Sequence, residues 1–165
     1  MRDTPTIAGA DDATGMRVGL VVSVYHETVT SALSQGAIDA LAIAGAPADQ
    51  VVVIQVPGAF EVPFAARRAA ETGRFDALVC LGCIIRGETP HFDYLASAVA
   101  HGISAASQAT GVPISFGVLT TNTYDEAVER AGHGSDNKGW EAAMAAVQLA
   151  NVVRGLVRDR RDNAE

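Results

Sequence analysis

The chain predicts an α/β protein: a three-layer α/β/α sandwich around a four-stranded parallel sheet. Two observations carry this. Four short Val- and Ile-rich runs each precede a stretch with helical spacing of apolar residues, and those runs are continuously apolar rather than alternating. Alternation marks a sheet with one wet face, whereas continuous apolarity marks strands covered by helices on both faces, as parallel strands are. A length of 165 residues with 48% hydrophobic content suits one domain with one sizeable core.

The elements follow in order. After a polar leader, residues 1–15, the run 17–24 (RVGLVVSV) reads as a strand and residues 28–44 as a helix that stops at Gly45. The same unit recurs with 51–56 (VVVIQV) before 61–72, 77–85 (ALVCLGCII) before 91–109, and 114–120 (ISFGVLT) before 124–131. A Gly- and Asp-containing link, 132–138 (GHGSDNK), leads into a last helix at 139–158. The domain is expected to span 16–158, with a polar tail at 159–165.

Charge and composition narrow the function classes. A net charge of −7 argues against a surface that tracks nucleic-acid phosphates. Arg154, Arg158, Arg160 and Arg161 make a local exception that is better matched to the negative end of the last helix. The longest uncharged apolar run, 77–85, is far shorter than the roughly 20 residues of a membrane helix. Residues 1–15 have no basic start followed by an apolar stretch, so the expectation is a soluble, cytoplasmic protein without an export signal. Cys80 and Cys83 form a C-x-x-C pattern, yet residues three apart on a strand face opposite ways, and a structural zinc needs four ligands. Two buried reduced thiols are expected, with no metal and no cofactor.

In such sheets ligands bind at the carboxyl ends of the strands, where loops meet the positive ends of helices. The least ordinary residues of the chain stand there. After the third strand comes Arg86-Gly87-Glu88-Thr89-Pro90-His91-Phe92-Asp93-Tyr94. Gly87 allows close backbone approach, and Thr89 can cap a helix opening at Pro90, which makes the amides of Glu88 and Thr89 a candidate phosphate cradle. His91 falls in the first helical turn and is either a proton-exchanging group or a surface or capping histidine.

The second loop, Val56-Pro57-Gly58-Ala59-Phe60-Glu61-Val62-Pro63, joins a Pro-Gly turn to an aromatic ring and a carboxylate. Glu61 either accepts hydrogen bonds from sugar hydroxyls or favours its own helix N-terminus, and the amides near Ala59 and Phe60 can meet a ring carbonyl. Tyr25, in the first loop beside His26, either stacks on a flat heterocycle or covers the sheet end. In the fourth unit Phe116 interrupts small and aliphatic residues, and Thr123-Tyr124-Asp125-Glu126 reads as a capping box. Arg130 either pairs with Glu126 on the helix surface or holds a phosphate. Lys138, a cation at a positive helix end, favours a functional or interface role.

Taken together, VPGAFEVP at 56–63, GCIIRGETPHFDYL at 82–95, FGVLTTNTYDEAVERAG at 116–132 and NKGWEAA at 137–143 resemble the lumazine synthase family, over about residues 18–152. The order and spacing of the four segments make the resemblance specific. It implies a flavodoxin-like fold and the condensation of 5-amino-6-(D-ribitylamino)uracil with 3,4-dihydroxy-2-butanone 4-phosphate. The products would be 6,7-dimethyl-8-ribityllumazine, phosphate and water, formed without metal or organic cofactor in the penultimate step of riboflavin biosynthesis.

On that resemblance His91 is the proton-transferring residue, and Glu88, Thr89 and Arg130 hold the phosphate. Tyr25, Ala59, Phe60, Glu61, Cys83, Ile84 and Ile85 bind the pyrimidine and ribityl chain, and Phe116 and Lys138 complete the pocket from a neighbouring subunit. Tyr25-His26 departs from the family's usual Phe-Asn or Trp-His, and Cys83 replaces a Thr or small apolar residue. The resemblance further implies homopentamers, free, paired or gathered into an icosahedral shell of sixty subunits, and riboflavin synthase as a partner. The short link from Gly132 to Gly139 looks like the shell-forming type, and the leader either stays mobile or adds a strand to a neighbour's sheet. Two readings compete: a flavin- or lumazine-binding carrier, which uses the same loops and needs no catalytic histidine, and an inactive shell protein packed through the Ala-rich helix 96–109, against which the intact His91, Arg130 and Glu61 argue.

Overall fold

A computed structural model describes residues 4–162. Four strands, β1 (Val18–Ser23), β2 (Val51–Val56), β3 (Ala77–Ile85) and β4 (Ile114–Thr121), form one all-parallel sheet in the order β2-β1-β3-β4. Helices α1 (Glu27–Ile43), α4 (Tyr124–Arg130) and α5 (Lys138–Asp162) cover one face, and α2 (Val62–Glu71) and α3 (His91–Thr110) cover the other. The three-layer sandwich expected from the apolar runs is therefore present.

Alternation along the strands sorts the core into two halves. Leu20, Val22, Val79 and Leu81 pack towards Leu33, Leu41 and Val147, while Val21, Leu78, Cys80 and Val118 pack towards Val62, Val99 and Ile103. Cys80 and Cys83 consequently lie in opposite halves, free and buried, as their spacing required. Burial pushes the Cys80 thiol up to about 12 and that of Cys83 up to about 11, so both stay protonated at neutral pH.

β2 departs from the expectation of burial on both faces. It is an edge strand, and Val53 is 43% exposed. Its open edge presents unpaired backbone groups.

Residues 7–12 of the leader lie along α5 of the same chain. Asn151 Nδ2 donates to the carbonyls of Ala10 and Asp12, both at 2.8 Å, and Gln148 Nε2 donates to Asp11 Oδ1 at 2.7 Å. Gly9 makes the approach possible, because a Cβ there would fall 2.3 Å from the Gln148 carbonyl oxygen. Met1, Arg2 and Asp3 lie outside the described residues.

The last helix is longer than the periodicity implied, starting at Lys138 and running to Asp162, so most of the expected tail is helical and residues 163–165 lie outside the described part. Arg154 serves not the helix end but Asp76, with Nη2 3.9 Å from Oδ1. Arg17 binds the same carboxylate through its backbone amide and side chain, and the arginine bonds hold the Asp76 carboxyl below the usual range despite partial burial, which acts the other way. The side chains of Arg160 and Arg161 lie outside the described part. Among the described residues no helix is long and apolar enough to cross a membrane.

Asn137 fastens the link between α4 and α5 to α1. It is 2% exposed and its amide is fully used: Nδ2 donates to Ala32 and Gly132 carbonyls, and Oδ1 accepts from the amides of Gly139 and Trp140, which caps α5. Gly139 lies against α1 so closely that a Cβ would sit within the contact radius of the Leu33 carbonyl oxygen. Gly139→Ala should accordingly cost about 1–3 kcal/mol by forcing α1 and α5 apart. Urea unfolding would measure it, and an unchanged midpoint would contradict this packing.

Candidate active site

The strand order reverses direction between β1 and β3, and there the loops after the strands part to leave a crevice. A cleft of about 780 Å³ occupies it. Cys83, Ile84 and Ile85, the last residues of β3, line it from below, and the loops after β1, β2 and β3 form its walls.

The first wall is Tyr25 and His26. Val24 and Tyr25 donate backbone hydrogen bonds to Val56 and Pro57, at 2.8 and 3.1 Å, so the β1 loop is tied to the β2 loop before the chain turns. It turns at His26, which adopts the left-handed conformation at φ 61° and ψ 49° and whose carbonyl accepts from the amides of Val29 and Thr30. A non-glycine residue there costs roughly 1–2 kcal/mol. The sharp turn leaves Tyr25 68% exposed, with its ring 4.5 Å from the His26 ring in an edge arrangement. The Tyr124 ring lies 6.5 Å beyond that imidazole, and burial shifts the His26 pKa down by disfavouring its charged form.

The second wall is Gly58, Ala59 and Phe60, at the opening of the turn Ala59–Glu61, and Glu61 itself does not line the cleft. The amides of Ala59 and Phe60 open this turn and so have no acceptor within it. Glu61 Oε2 accepts from the Gly58 amide at 2.9 Å, so the carboxylate shapes its own loop, which is the structural alternative of the two open for it. Phe60 is 65% exposed rather than core, whereas Ala59 is buried and reaches the cleft through its edge.

The third wall carries Gly87, Thr89, His91, Phe92 and Leu95. α3 opens at His91 with Pro90 in the capping position, and no side chain caps it; the expected Thr89 cap is absent because the proline takes that place. The first amides of α3 thereby have no acceptor within the helix, and the Thr89 hydroxyl makes no hydrogen bond to a described residue. The exposed His91 ring makes no hydrogen bond to any described residue, and Glu88 is exposed but does not line the cleft.

Three expected residues are elsewhere. Phe116, Arg130 and Lys138 line a second cleft of about 300 Å³ between β4 and α5. Thr123 caps α4 by accepting from the Glu126 amide at 3.2 Å, while Glu126 Oε2 accepts from the Asn122 amide rather than from that of Thr123. With the carboxylate so engaged, Arg130 does not pair with it and instead donates from Nη1 to the Glu126 carbonyl at 3.0 Å. Lys138 Nζ lies 2.5 Å from Glu141 Oε2, which answers the charge conflict at the start of α5.

A family model for 6,7-dimethyl-8-ribityllumazine synthase matches residues 15–154. The chain belongs to the lumazine synthase family. It is thus a transferase of riboflavin biosynthesis, from a family whose members assemble into oligomers, and the carrier reading is not favoured. The fold agrees at the level of topology, since the parallel four-stranded sheet with helices on both faces is the flavodoxin-like arrangement of lumazine synthases.

Sequence reasoning missed His26, Phe92 and Leu95 as cleft residues and Arg86 as a tie between loops. For His26 a signal existed: a strand passes into a helix within three residues without a glycine, which demands one strained residue. The strain is testable. His26→Asn, which tolerates positive φ, should stay within about 0.5 kcal/mol of the parent, whereas His26→Val should cost about 1–2 kcal/mol, both read from denaturation midpoints. Equal losses would show that ring contacts, not backbone strain, govern the position.

Proposed function

We propose that the two clefts are halves of one active site, each completed by a neighbouring subunit, where 5-amino-6-(D-ribitylamino)uracil and 3,4-dihydroxy-2-butanone 4-phosphate condense to 6,7-dimethyl-8-ribityllumazine. One observation carries this reading. The residues that would surround the two substrates divide into Tyr25, Phe60, Thr89 and His91 in one cleft and Phe116, Arg130 and Lys138 in the other.

The pyrimidine lies against Ile84 and Ile85, between Tyr25 and the Phe116 of an adjoining subunit, with its carbonyls on the amides of Ala59 and Phe60. Cys83 adds backbone and a neutral wall, and Glu61 and Lys138 meet the ribityl hydroxyls and the ring edge. The sugar phosphate sits on the α3 N-terminus, held by the Glu88 and Thr89 amides, the Thr89 hydroxyl and Arg130 from next door. The substrate amine attacks the ketone, loses water and becomes an imine. Phosphate then leaves as the adjacent carbon gives up its proton, and the ribitylamino nitrogen closes the ring with loss of a second water. His91 carries protons between these steps, and holding two reactants in register supplies most of the acceleration.

Open apolar surface supports assembly. Phe64 and Tyr94 are 73% and 75% exposed, and α3 buries only Val99, Ile103 and Ala106 along twenty residues, which leaves a broad face for a neighbour. A homopentamer fits these faces. The tight α4–α5 link held by Asn137 favours the icosahedral shell, with riboflavin synthase as a further partner. Two free buried thiols fit a cytoplasmic setting. The domain is best taken as 16–158, with the α5-bound leader as an accessory.

His91→Ala should lower the condensation rate by about 100-fold or more, followed through lumazine fluorescence. Arg130→Ala should raise the KM for the sugar phosphate more than that for the pyrimidine. Co-assembly decides whether the site is shared: randomly mixed rings of the two impaired variants, assayed at low sugar phosphate, should recover about a quarter of the parental sites, because one interface in four pairs an intact His91 with an intact Arg130. No recovery from mixed rings would place the whole site within one subunit.

A further inference from the structure

Arg86 is absent from both clefts, yet its guanidinium joins three segments around them. It follows β3 directly, and its amide donates to the Thr121 carbonyl at 2.9 Å, which carries the β3–β4 pairing one residue past the strand. The side chain then divides its bonds. Nε donates to Asn122 Oδ1 at 3.1 Å, Nη2 to Asp93 Oδ1 at 3.2 Å and Nη1 to Asp93 Oδ2 at 3.4 Å, while Cζ lies 4.3 Å from the centre of the Phe92 ring. Asp93 and Phe92 belong to the first turn of α3 beside His91, and Asn122 precedes the cap of α4, the helix that carries Arg130.

We propose that Arg86 is a positioning residue for the sugar phosphate: it sets the α3 N-terminus relative to the β4–α4 turn and neutralises Asp93 in the first turn of that helix. The inference rests on the assignment of the phosphate to the α3 N-terminus. Two physical points support it. First, the fork is a two-point tie whose plane is also stacked on Phe92, so it fixes orientation as a flexible ammonium would not. Second, Asp93 puts a negative charge in the first turn of α3, where it competes with a bound anion for the positive helix end; pairing with Arg86 removes the competition.

Stability is not the reason for the pair. Its side chains are 45% and 62% exposed, and ion pairs that wet add little to folding. A substitution is therefore expected to act on substrate affinity while the fold stays intact.

The test is steady-state kinetics of the assembled enzyme with each substrate varied in turn, for R86M, R86K, D93N, the double variant R86M/D93N, and T89A as the control for the phosphate loop. R86M should raise the KM for the sugar phosphate about tenfold, leave that for the pyrimidine within about twofold, and shift the thermal midpoint by no more than about 2 °C. R86K, which keeps the charge without the fork, should fall between R86M and the parent. D93N should recover most of the loss when added to R86M, because the unpaired carboxylate has gone.

A loss in R86M that D93N does not relieve, while D93N alone leaves both KM values at the parental level, would overturn the proposal by making Arg86 a direct phosphate ligand. Equal rises in both KM values would overturn it by making the residue merely structural. If T89A raises the sugar-phosphate KM and R86M does not, the phosphate loop stands and the role of Arg86 falls; if neither changes, the phosphate assignment falls with it.

Discussion

Everything at the site depends on β1 lying beside β3, with Val18 level with Ala77 and Val22 level with Leu81. Chain connection runs outward from this pair in both directions, to β2 on one side and β4 on the other. The loops after β1 and β3 must therefore diverge, and the crevice between them follows from strand order before any side chain is chosen. Gly82 helps keep the pair close where the crevice begins: a Cβ there would lie 3.0 Å from Ser23 Oγ, at the end of the neighbouring strand.

The same constraint divides the labour among the loops. The β1 and β2 loops are tied together by the Val24–Val56 and Tyr25–Pro57 backbone bonds, and the β3 loop is tied to β4 through Arg86 and Thr121. Each tie lies on one side of the crevice. The cleft residues Tyr25, Phe60, Thr89 and His91 are left exposed, while one oxygen of Glu61 and the guanidinium of Arg86 are engaged within the chain. A carboxylate and a guanidinium beside a binding site thus act on the backbone around the ligand.

Strand positions were legible because burial on both faces writes itself as continuous apolarity, and 77–85 in particular was readable to the residue. The loop after β3 was legible as a place for chemistry because Gly, Thr, Pro and His are placed where a strand feeds a helix. What the chain did not disclose has physical causes of two kinds. β2 reads as buried because its run VVVIQV is as apolar as those of the inner strands, so its edge position is invisible to periodicity. The partners of Arg130, Glu61 and Asn122 were unreadable because several carboxylates and carbonyls lie within reach of each helix end, and only packing selects among them. The leader's seat on α5 belongs to the same kind, since it rests on the missing side chain of Gly9 and on contacts nearly 140 positions apart.

The remaining tension is electrostatic. A chain of net charge −7 that takes an anionic sugar phosphate must gather positive potential locally. One protomer supplies only part of it at the first cleft, from the N-terminus of α3, and even there Asp93 opposes the anion unless Arg86 holds it. The cations suited to complete the task, Arg130 and Lys138, stand at the second cleft, the one anchored by the Glu126 carbonyl and the other by Glu141. Bringing the two clefts together across a subunit boundary would convert two weakly anion-selective surfaces into one competent site. On the proposed shared site, assembly is a condition of binding, and what lets so acidic a chain retain a phosphate is the cleft it would form with its own copy.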